Sequence, residues 1–185
     1  MRALSRGRYW ADLWTGEIFA EVLLKKEELA EHPLLAPYRS GGARGDNPYV
    51  NFYWDFFAQG KPCHAQVTYP TMEGAVSIIH KNGGAAVLAH PGMSLKGREA
   101  LLDGILRLGL DGIEAYSSYH TPGQAAEFER VARENRLLAT CGSDFHGKTK
   151  PTVPIGGAVF APGTDRGQAG RAAADPLLAW QARKR

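Results

Sequence analysis

From residue 71 onward, apolar positions alternate between helical spacing and short continuous runs. A helical stretch begins after Thr71, a suitable N-cap, and the segment Asn82-Gly83-Gly84 provides its stop. Its apolar positions, which fall on one face, are Met72, Ala75, Val76 and Ile79. The apolar run at residues 85–89 follows that stop, as a buried parallel strand would.

The same alternation continues toward the end of the chain. It predicts helices at 98–108 and 124–135, and strands at 112–116, 137–141 and 155–160. In the helix at 124–135, the inward positions are Phe128, Val131 and Ala132. Helices and strands in the order βαβαβ with short links are typical of a parallel sheet, so the predicted fold class is α/β, as a barrel or an open sandwich.

The first seventy residues follow a different pattern. Residues 17–31 have a helical composition, interrupted by Pro33 and Pro37, and residues 40–48 are rich in loop formers. Residues 49–57 form a dense aromatic segment that predicts a helix. Aromatic residues in such a segment are usually buried in the core. The alternative is that they form a surface on which nucleobases stack. We therefore expect residues 1–70 to form a helical subdomain or cap.

Composition excludes several classes of protein. The chain has 185 residues, of which 44% are hydrophobic and 22% charged, close to the globular average and sufficient for one domain with a small appendage. No apolar run approaches the roughly 18–20 residues that a bilayer requires. The basic start lacks the apolar region of a secretion signal, so we expect a cytoplasmic protein.

Charge and cysteine usage add two further expectations. The net charge of +3 is spread along the chain, whereas nucleic-acid binding normally needs a clustered basic face. The basic C-terminal residues are expected to be a frayed, solvated end. Cys63 and Cys141 lie in unrelated contexts without metal-binding spacing, so both are expected to be reduced thiols.

Three polar clusters follow the first three predicted strands, and ligands of parallel α/β proteins bind beyond the carboxyl ends of strands. His90 follows the first strand within Ala-His-Pro-Gly, Glu114 and His120 belong to the second, and Asp144 and His146 follow the third. In an extended Asp-x-His segment both side chains point to the same side, so they can converge on divalent ions. The alternative for this pair is a capping aspartate with a surface histidine.

For the other candidate site residues, the sequence leaves a functional and a structural interpretation open. Glu114 is either partnered in the interior or exposed on the other face of its strand, and His120 either contacts an anion or has a helix-capping or surface role. Lys148 either contacts a phosphate or is simply solvated. Ser143 lacks the Gly-x-Ser-x-Gly context of a hydrolase nucleophile.

Taken together, segments 83–92 (GGAAVLAHPG), 110–116 (LDGIEAY) and 142–147 (GSDFHG) resemble the later motifs of the PHP (polymerase and histidinol phosphatase) superfamily. They look most like its metal-dependent phosphoesterases that have a helical insertion in the barrel. The resemblance implies a distorted β/α barrel whose Mn, Zn, Mg or Fe ions activate water against a phosphate ester. By motif, the metal ligands would be His90, Asp144 and His146, with phosphorylated metabolites or short nucleotides as substrates.

The resemblance also sets expectations about what this chain lacks. PHP proteins begin with a His-x-His strand, which does not occur here, so we expect the C-terminal part of a PHP-type barrel with an N-terminal helical insertion. The expected divisions are a cap at 1–70, partial barrel at 71–162 and C-terminal tail at 163–185. We expect weak or no phosphoesterase activity and incomplete metal occupancy, with Glu114, His120 and Lys148 as candidate substrate contacts. The alternative is a non-catalytic interaction module whose open sheet edge is covered by a homo-oligomer.

Overall fold

A computed structural model describes residues 14–183 of the chain. The basic N-terminal segment and the last two residues, which belong to the C-terminal end that the sequence predicts to be frayed and solvated, lie outside the described residues. The chain forms two compact units. The first contains the described residues up to Thr68 together with His146–Thr152, and the second contains Tyr69–Phe145 and the residues from Val153 onward.

The described part of the first unit is helical. Its α-helices are α1 (Gly16–Leu24) and α2 (Pro48–Phe56), and its 3-10 turns are Glu27–Leu29, Ala36–Tyr38 and Gly147–Thr149. Residues 17–31, which have a helical composition, form α-helix only as far as Leu24; the charged stretch that follows forms the 3-10 turn Glu27–Leu29, whose Leu29 packs against the core of this unit. The segment His146–Thr152 joins this unit, which the sequence pattern does not indicate.

The aromatic segment forms the core of the first unit. Phe52 on α2 is 6% exposed and packs edge-on against Tyr38, with ring centroids 5.2 Å apart. Phe56 lies 4.5 Å from Phe52 by the same measure. The interpretation of the aromatic segment as buried core is therefore confirmed for these rings, whereas Trp54 is 49% exposed.

The second unit contains the parallel sheet. Its elements are α3 (Met72–Lys81), β1 (Val87–Leu88), α4 (Pro91–Ser94), a 3-10 turn (Glu99–Leu101), α5 (Leu102–Leu106), β2 (Gly112–Ser117), α6 (Pro122–Glu134), β3 (Leu138–Gly142) and α7 (Arg166–Arg183). The three strands are parallel and ordered β1-β2-β3. The predicted βαβαβ order and α/β class are confirmed, while closure into a PHP-type barrel stays a prediction.

Capping and burial explain why these helices form where the sequence predicts. The Thr71 hydroxyl accepts the amide hydrogen of Gly74 at the start of α3, and Thr121 forms a capping box with Gln124 at the start of α6. The inward positions predicted for α6 are all buried in the sheet core, namely Phe128, Val131 and Ala132.

Two sequence predictions for the second unit need correction. Residues 155–160 contain no strand, since Gly156-Gly157 follows Pro154 in a turn and only the Val159 amide bonds to the sheet, at the Ser117 carbonyl. The helix predicted at 98–108 is shortened to a 3-10 turn and α5. Helix α7 occupies most of the predicted tail, where alanines favour helix. No helix in the described part of the chain has the length and apolarity needed to cross a membrane.

Candidate functional site

The carboxyl ends of the three parallel strands lie at one edge of the sheet in the second unit. His90 follows β1, Tyr119 and His120 follow β2, and Asp144 follows β3. In open parallel sheets this is the edge at which ligands bind. The predicted clusters of the second unit are therefore brought to a common edge by the sheet.

Left-handed backbone marks two of these strand ends. Among described residues other than glycine, positive φ occurs at His90 (32°), Asp144 (54°) and Arg136 (56°). Arg136 has a local explanation, because it follows the C-cap of α6 and Leu137 bonds back to the Ala132 carbonyl, as in a Schellman motif. The two others lie after strands and have no helix C-cap to explain them. Histidine and aspartate adopt this conformation more often than most residues, at a cost of order 1–3 kcal/mol or less each, and such positions are frequent at functional sites.

The main chain of His90 is held by a side chain of the neighbouring strand. The His90 amide donates to Oε2 of Glu114 over 2.6 Å. A hydrogen bond to a charged group contributes about 1.5–3 kcal/mol, which is of the same size as the cost of the left-handed conformation. The contact can therefore offset the strain at His90.

The imidazole of His90 is oriented by Ser94. The Ser94 hydroxyl donates to the Ala89 carbonyl over 3.2 Å, so its oxygen is placed to accept a hydrogen from His90 Nδ1, 2.9 Å away. This network assigns the proton of neutral His90 to Nδ1 and leaves Nε2 as the acceptor atom. Metal-binding histidines are commonly oriented in this way by a partner at the second nitrogen.

Glu114 lies half-buried within β2, between the ends of the two adjacent strands. Burial raises the pKa of its carboxyl group above the usual value, and the nearby Asp144 acts in the same direction, while the His90 amide opposes them. Its other oxygen, Oε1, lies directly against Gly142 at the end of β3, where a Cβ atom would overlap it. Of the alternatives open from sequence, the structure shows the partnered one.

Asp144 is contacted by a residue that the sequence predictions did not nominate. The Tyr119 hydroxyl donates to Oδ2 of Asp144 over 2.6 Å, and its ring packs edge-on against His90 with centroids 5.6 Å apart. Ser118 fixes the same segment by donating to the Ser143 carbonyl over 2.8 Å. The only sequence signal for Tyr119 is its position just beyond a predicted strand.

His120 is a buried histidine with both nitrogens engaged. It is 4% exposed, its Nδ1 lies 2.9 Å from the Ala115 carbonyl, and its Nε2 accepts the Gly92 amide hydrogen over 3.1 Å. Burial lowers the pKa of His120, which favours the neutral ring that this pair of contacts requires. A Cβ on Gly92 would lie 2.8 Å from the ring, so this approach requires glycine. The surface alternative for His120 is wrong, while its role as a substrate contact stays a prediction.

His146 and Lys148 belong to the first unit. His146 is exposed and its carbonyl caps the turn Gly147–Thr149. Lys148 donates to Oε2 of the buried Glu21 over 2.6 Å. Burial alone would raise the pKa of Glu21, but the hydrogen bonds from Lys148 and Lys25 bring it below its usual range.

The candidate donor atoms in the described residues are of types that bind divalent ions, but there are too few of them to hold one. His90 offers an oriented neutral imidazole and Asp144 a carboxylate, both of which are common ligands of transition metals. Across residues 14–183, however, no three or more side chains of histidine, cysteine, aspartate or glutamate are grouped closely enough to hold a metal. The described residues therefore do not by themselves form a complete set of metal ligands.

Three curated proteins are similar to the chain in sequence. A phosphoribosyl 1,2-cyclic phosphate 1,2-diphosphodiesterase from Eggerthella lenta is 35% identical over 129 residues, covering 70% of this chain and 46% of the relative. The 5'-3' exoribonuclease Rnm of Salmonella typhimurium is 32% identical, covering 58% and 37%. A 3',5'-nucleoside bisphosphate phosphatase from Chromobacterium violaceum is 36% identical, covering 49% and 33%. The chain spans less than half the length of each relative. No protein-family model matches it.

Two solved structures share the fold. An amidohydrolase from Chromobacterium violaceum, with bound sulfate, superposes with a TM-score of 0.54 at 28% identity, over 77% of this chain and 48% of that one. A Bifidobacterium adolescentis protein of proposed metal-dependent phosphoesterase activity has a TM-score of 0.56 at 21% identity, over 89% and 63%. The second likeness supports the fold alone.

Proposed function

Because the chain belongs to the PHP family of phosphoesterases, we propose that it contributes ligands to a divalent-metal site that hydrolyses phosphate esters. The observation that carries this proposal is the pair of strand-end donors, His90 and Asp144, each on left-handed backbone and each held by a neighbouring side chain. On the Asp-x-His pattern, His146 is proposed as a further ligand.

A bound divalent ion would lower the pKa of water and stabilise charge on the phosphoryl group. The residues of this chain would hold the ion and orient its ligands. Ser94 keeps the His90 proton at Nδ1, so that Nε2 presents its lone pair, and Tyr119 fixes one carboxylate oxygen of Asp144. His120 stays a predicted substrate contact, and both of its nitrogens also have partners within the protein.

The proposed substrate class is a phosphate ester of a nucleotide or a related phosphorylated sugar. This follows from the relatives, which are named for a cyclic phosphate, for RNA and for a nucleoside bisphosphate. We propose that the 185-residue chain by itself is weakly active or inactive, since its described residues contain only part of a ligand set.

The test is a titration of the purified chain with Mn²⁺, followed by electron paramagnetic resonance of the free ion. We expect weak binding that is lost in His90→Ala and in Asp144→Asn. The control is His64→Ala, which removes an exposed histidine of the first unit. Binding that is unchanged in both site variants would overturn the assignment of the ligands.

Activity is measured on the same samples with a generic phosphodiester and with adenosine 3',5'-bisphosphate. Turnover in the presence of Mn²⁺ should not rise above that of buffer. Robust metal-dependent hydrolysis that disappears in His90→Ala would support the metal site but refute the proposed weakness of this chain.

An alternative function is a non-catalytic interaction module, favoured by the open edges of the sheet. In the described residues, β1 pairs only with β2 and so does β3, which leaves both outer strands with one unpaired edge. Unpaired edges are templates for association with another strand. Sedimentation at several concentrations tests this: a concentration-dependent dimer supports the module, and a stable monomer throughout argues against it.

A further inference from the structure

The ladder between β1 and β2 ends at Leu88, two residues before His90, the candidate ligand that follows β1. The register pairs are Val87 with Gly112 and Leu88 with Ile113, and no pair follows them. The next residue of β2 is Glu114, and its side chain bonds to the main chain of the β1 segment at His90. A carboxylate thus continues a contact that the backbone ladder no longer makes.

This contact determines where His90 points. With φ at 32° and ψ at 59°, the residue turns the chain sharply from β1 into the short helix α4. The amide of His90 faces Glu114 while the imidazole lies against Ser94 and Tyr119. Loss of the Glu114 contact would release the backbone toward an ordinary conformation and move the ring with it.

The third strand keeps the carboxylate in place. Oε1 of Glu114 lies against the bare backbone of Gly142, at the carboxyl end of β3. A methyl group at position 142 would occupy the space of that oxygen, so a substitution there should displace the carboxylate from His90 without changing either residue.

We propose that Glu114 is a positioning residue, which holds the main chain of His90 so that the imidazole is directed to the metal, and that Gly142 provides the space for it. The proposal rests on the proposed function only in naming His90 as a metal ligand. The geometric part, that Glu114 fixes the backbone of His90, stands without a metal.

Two readouts separate these parts. Amide hydrogen exchange of His90, followed by NMR, reports the hydrogen bond in the metal-free chain. Titration with Mn²⁺ reports the ligand. The variants are Glu114→Ala, Glu114→Gln, Gly142→Ala and the double variant Glu114→Ala/Gly142→Ala. Glu99→Ala is the matched control, because Glu99 also accepts a main-chain hydrogen bond, from Gly97 over 2.8 Å, but is exposed.

We expect Glu114→Ala to raise the exchange rate of the His90 amide and to weaken Mn²⁺ binding by about tenfold or more. Glu114→Gln keeps an acceptor oxygen and should restore both. Gly142→Ala should reproduce the effect of Glu114→Ala, and the double variant should be no worse than Glu114→Ala, because both changes break the same contact.

Unchanged exchange at His90 in Glu114→Ala, or additive effects in the double variant, would overturn the proposal. If Glu114→Ala does not fold, Glu114→Gln and Gly142→Ala decide: protection kept in the first and lost in the second supports the proposal, and any other result refutes it. If the wild-type chain binds no Mn²⁺, the proposed function fails, and the exchange data still decide the role of Glu114.

Discussion

The hydroxyl of Tyr119 lies 2.6 Å from Oδ2 of Asp144, and the ring that carries it packs edge-on against His90. One residue that follows β2 therefore contacts a candidate ligand after β1 and another after β3. The sheet brings these strand ends to one edge, and Tyr119 links them.

Replacement of Tyr119 by phenylalanine should weaken the site without dismantling it. The ring contact with His90 is kept and the hydrogen bond to Asp144 is lost, so we expect Mn²⁺ affinity to fall roughly tenfold, as for other partners of metal ligands. The titration described above measures this. Tyr69→Phe, at a tyrosine that is 78% exposed, is the control. Equal affinity in the two variants would contradict the role given to Tyr119.

Removal of the Ser94 hydroxyl should change the tautomer of His90. In the wild-type chain the hydrogen-bond network favours the Nδ1–H form, whereas in Ser94→Ala the ring loses the acceptor that stabilises it. We expect the ¹⁵N shifts of the imidazole at high pH to move toward the Nε2–H form. Shifts identical to those of wild type would show that Ser94 does not set the tautomer.

Folding stability should fall in mild acid because of His120. Burial lowers the pKa of this residue in the folded state, while in the unfolded chain it is close to about 6.5. The unfolded chain therefore binds more protons at this position below that pH. The contribution of His120 to the free energy of unfolding is fully present above about pH 6.5. It is lost as the pH falls from there through the pKa of His120 in the folded state.

The measurement is urea unfolding at about pH 5 and pH 8, with a slope bounded by about 1.4 kcal/mol per pH unit for one group. His120→Gln can still donate and accept, and it should flatten the dependence. The exposed His64 supplies the control, as His64→Gln. An undiminished pH dependence in His120→Gln would count against this assignment.

Lys148 should prove to be a stability determinant of the first unit. Its partner Glu21 has a side chain that is only 5% exposed, while Lys148 itself is 55% exposed, so the pair is partly screened by solvent. We expect Lys148→Met to lower the free energy of unfolding by roughly 0.5–1 kcal/mol. Lys25→Met removes the other lysine of the same carboxylate and is the matched comparison. An equal loss in the Glu21→Gln background would show that the effect does not pass through Glu21.

Local signals predicted most of the second unit. Thr71 and Thr121 cap helices as their sequence context indicates, since a cap is formed within one turn of chain. The parallel order of the strands follows from alternating periodicity alone. In contrast, the turn at Gly156-Gly157 depends on the positive φ of Gly156, which the sequence does not reveal. The apolar residues beside this turn have the pattern of a strand, and the sequence analysis therefore predicts one there.

The partners within the candidate site could not be predicted from the sequence. Glu114 and His90 are 24 residues apart, and nothing in their spacing indicates which strand would turn its carboxylate toward which amide. From the sequence, His120 looks like a polar loop residue. It is buried in the structure because its two ring nitrogens are paired with the Gly92 amide and the Ala115 carbonyl. Such contacts depend on strand register, which is a property of the folded sheet.

The left-handed backbone at positions 90 and 144 has a consequence for laboratory evolution of this chain. Glycine adopts that conformation without penalty, whereas every other residue type, including histidine and aspartate, is strained in it to some degree. Selection for heat resistance alone should therefore favour glycine at these two positions, with loss of the imidazole and the carboxylate. At positions 90 and 144, thermal stability and the proposed metal binding therefore favour different amino acids.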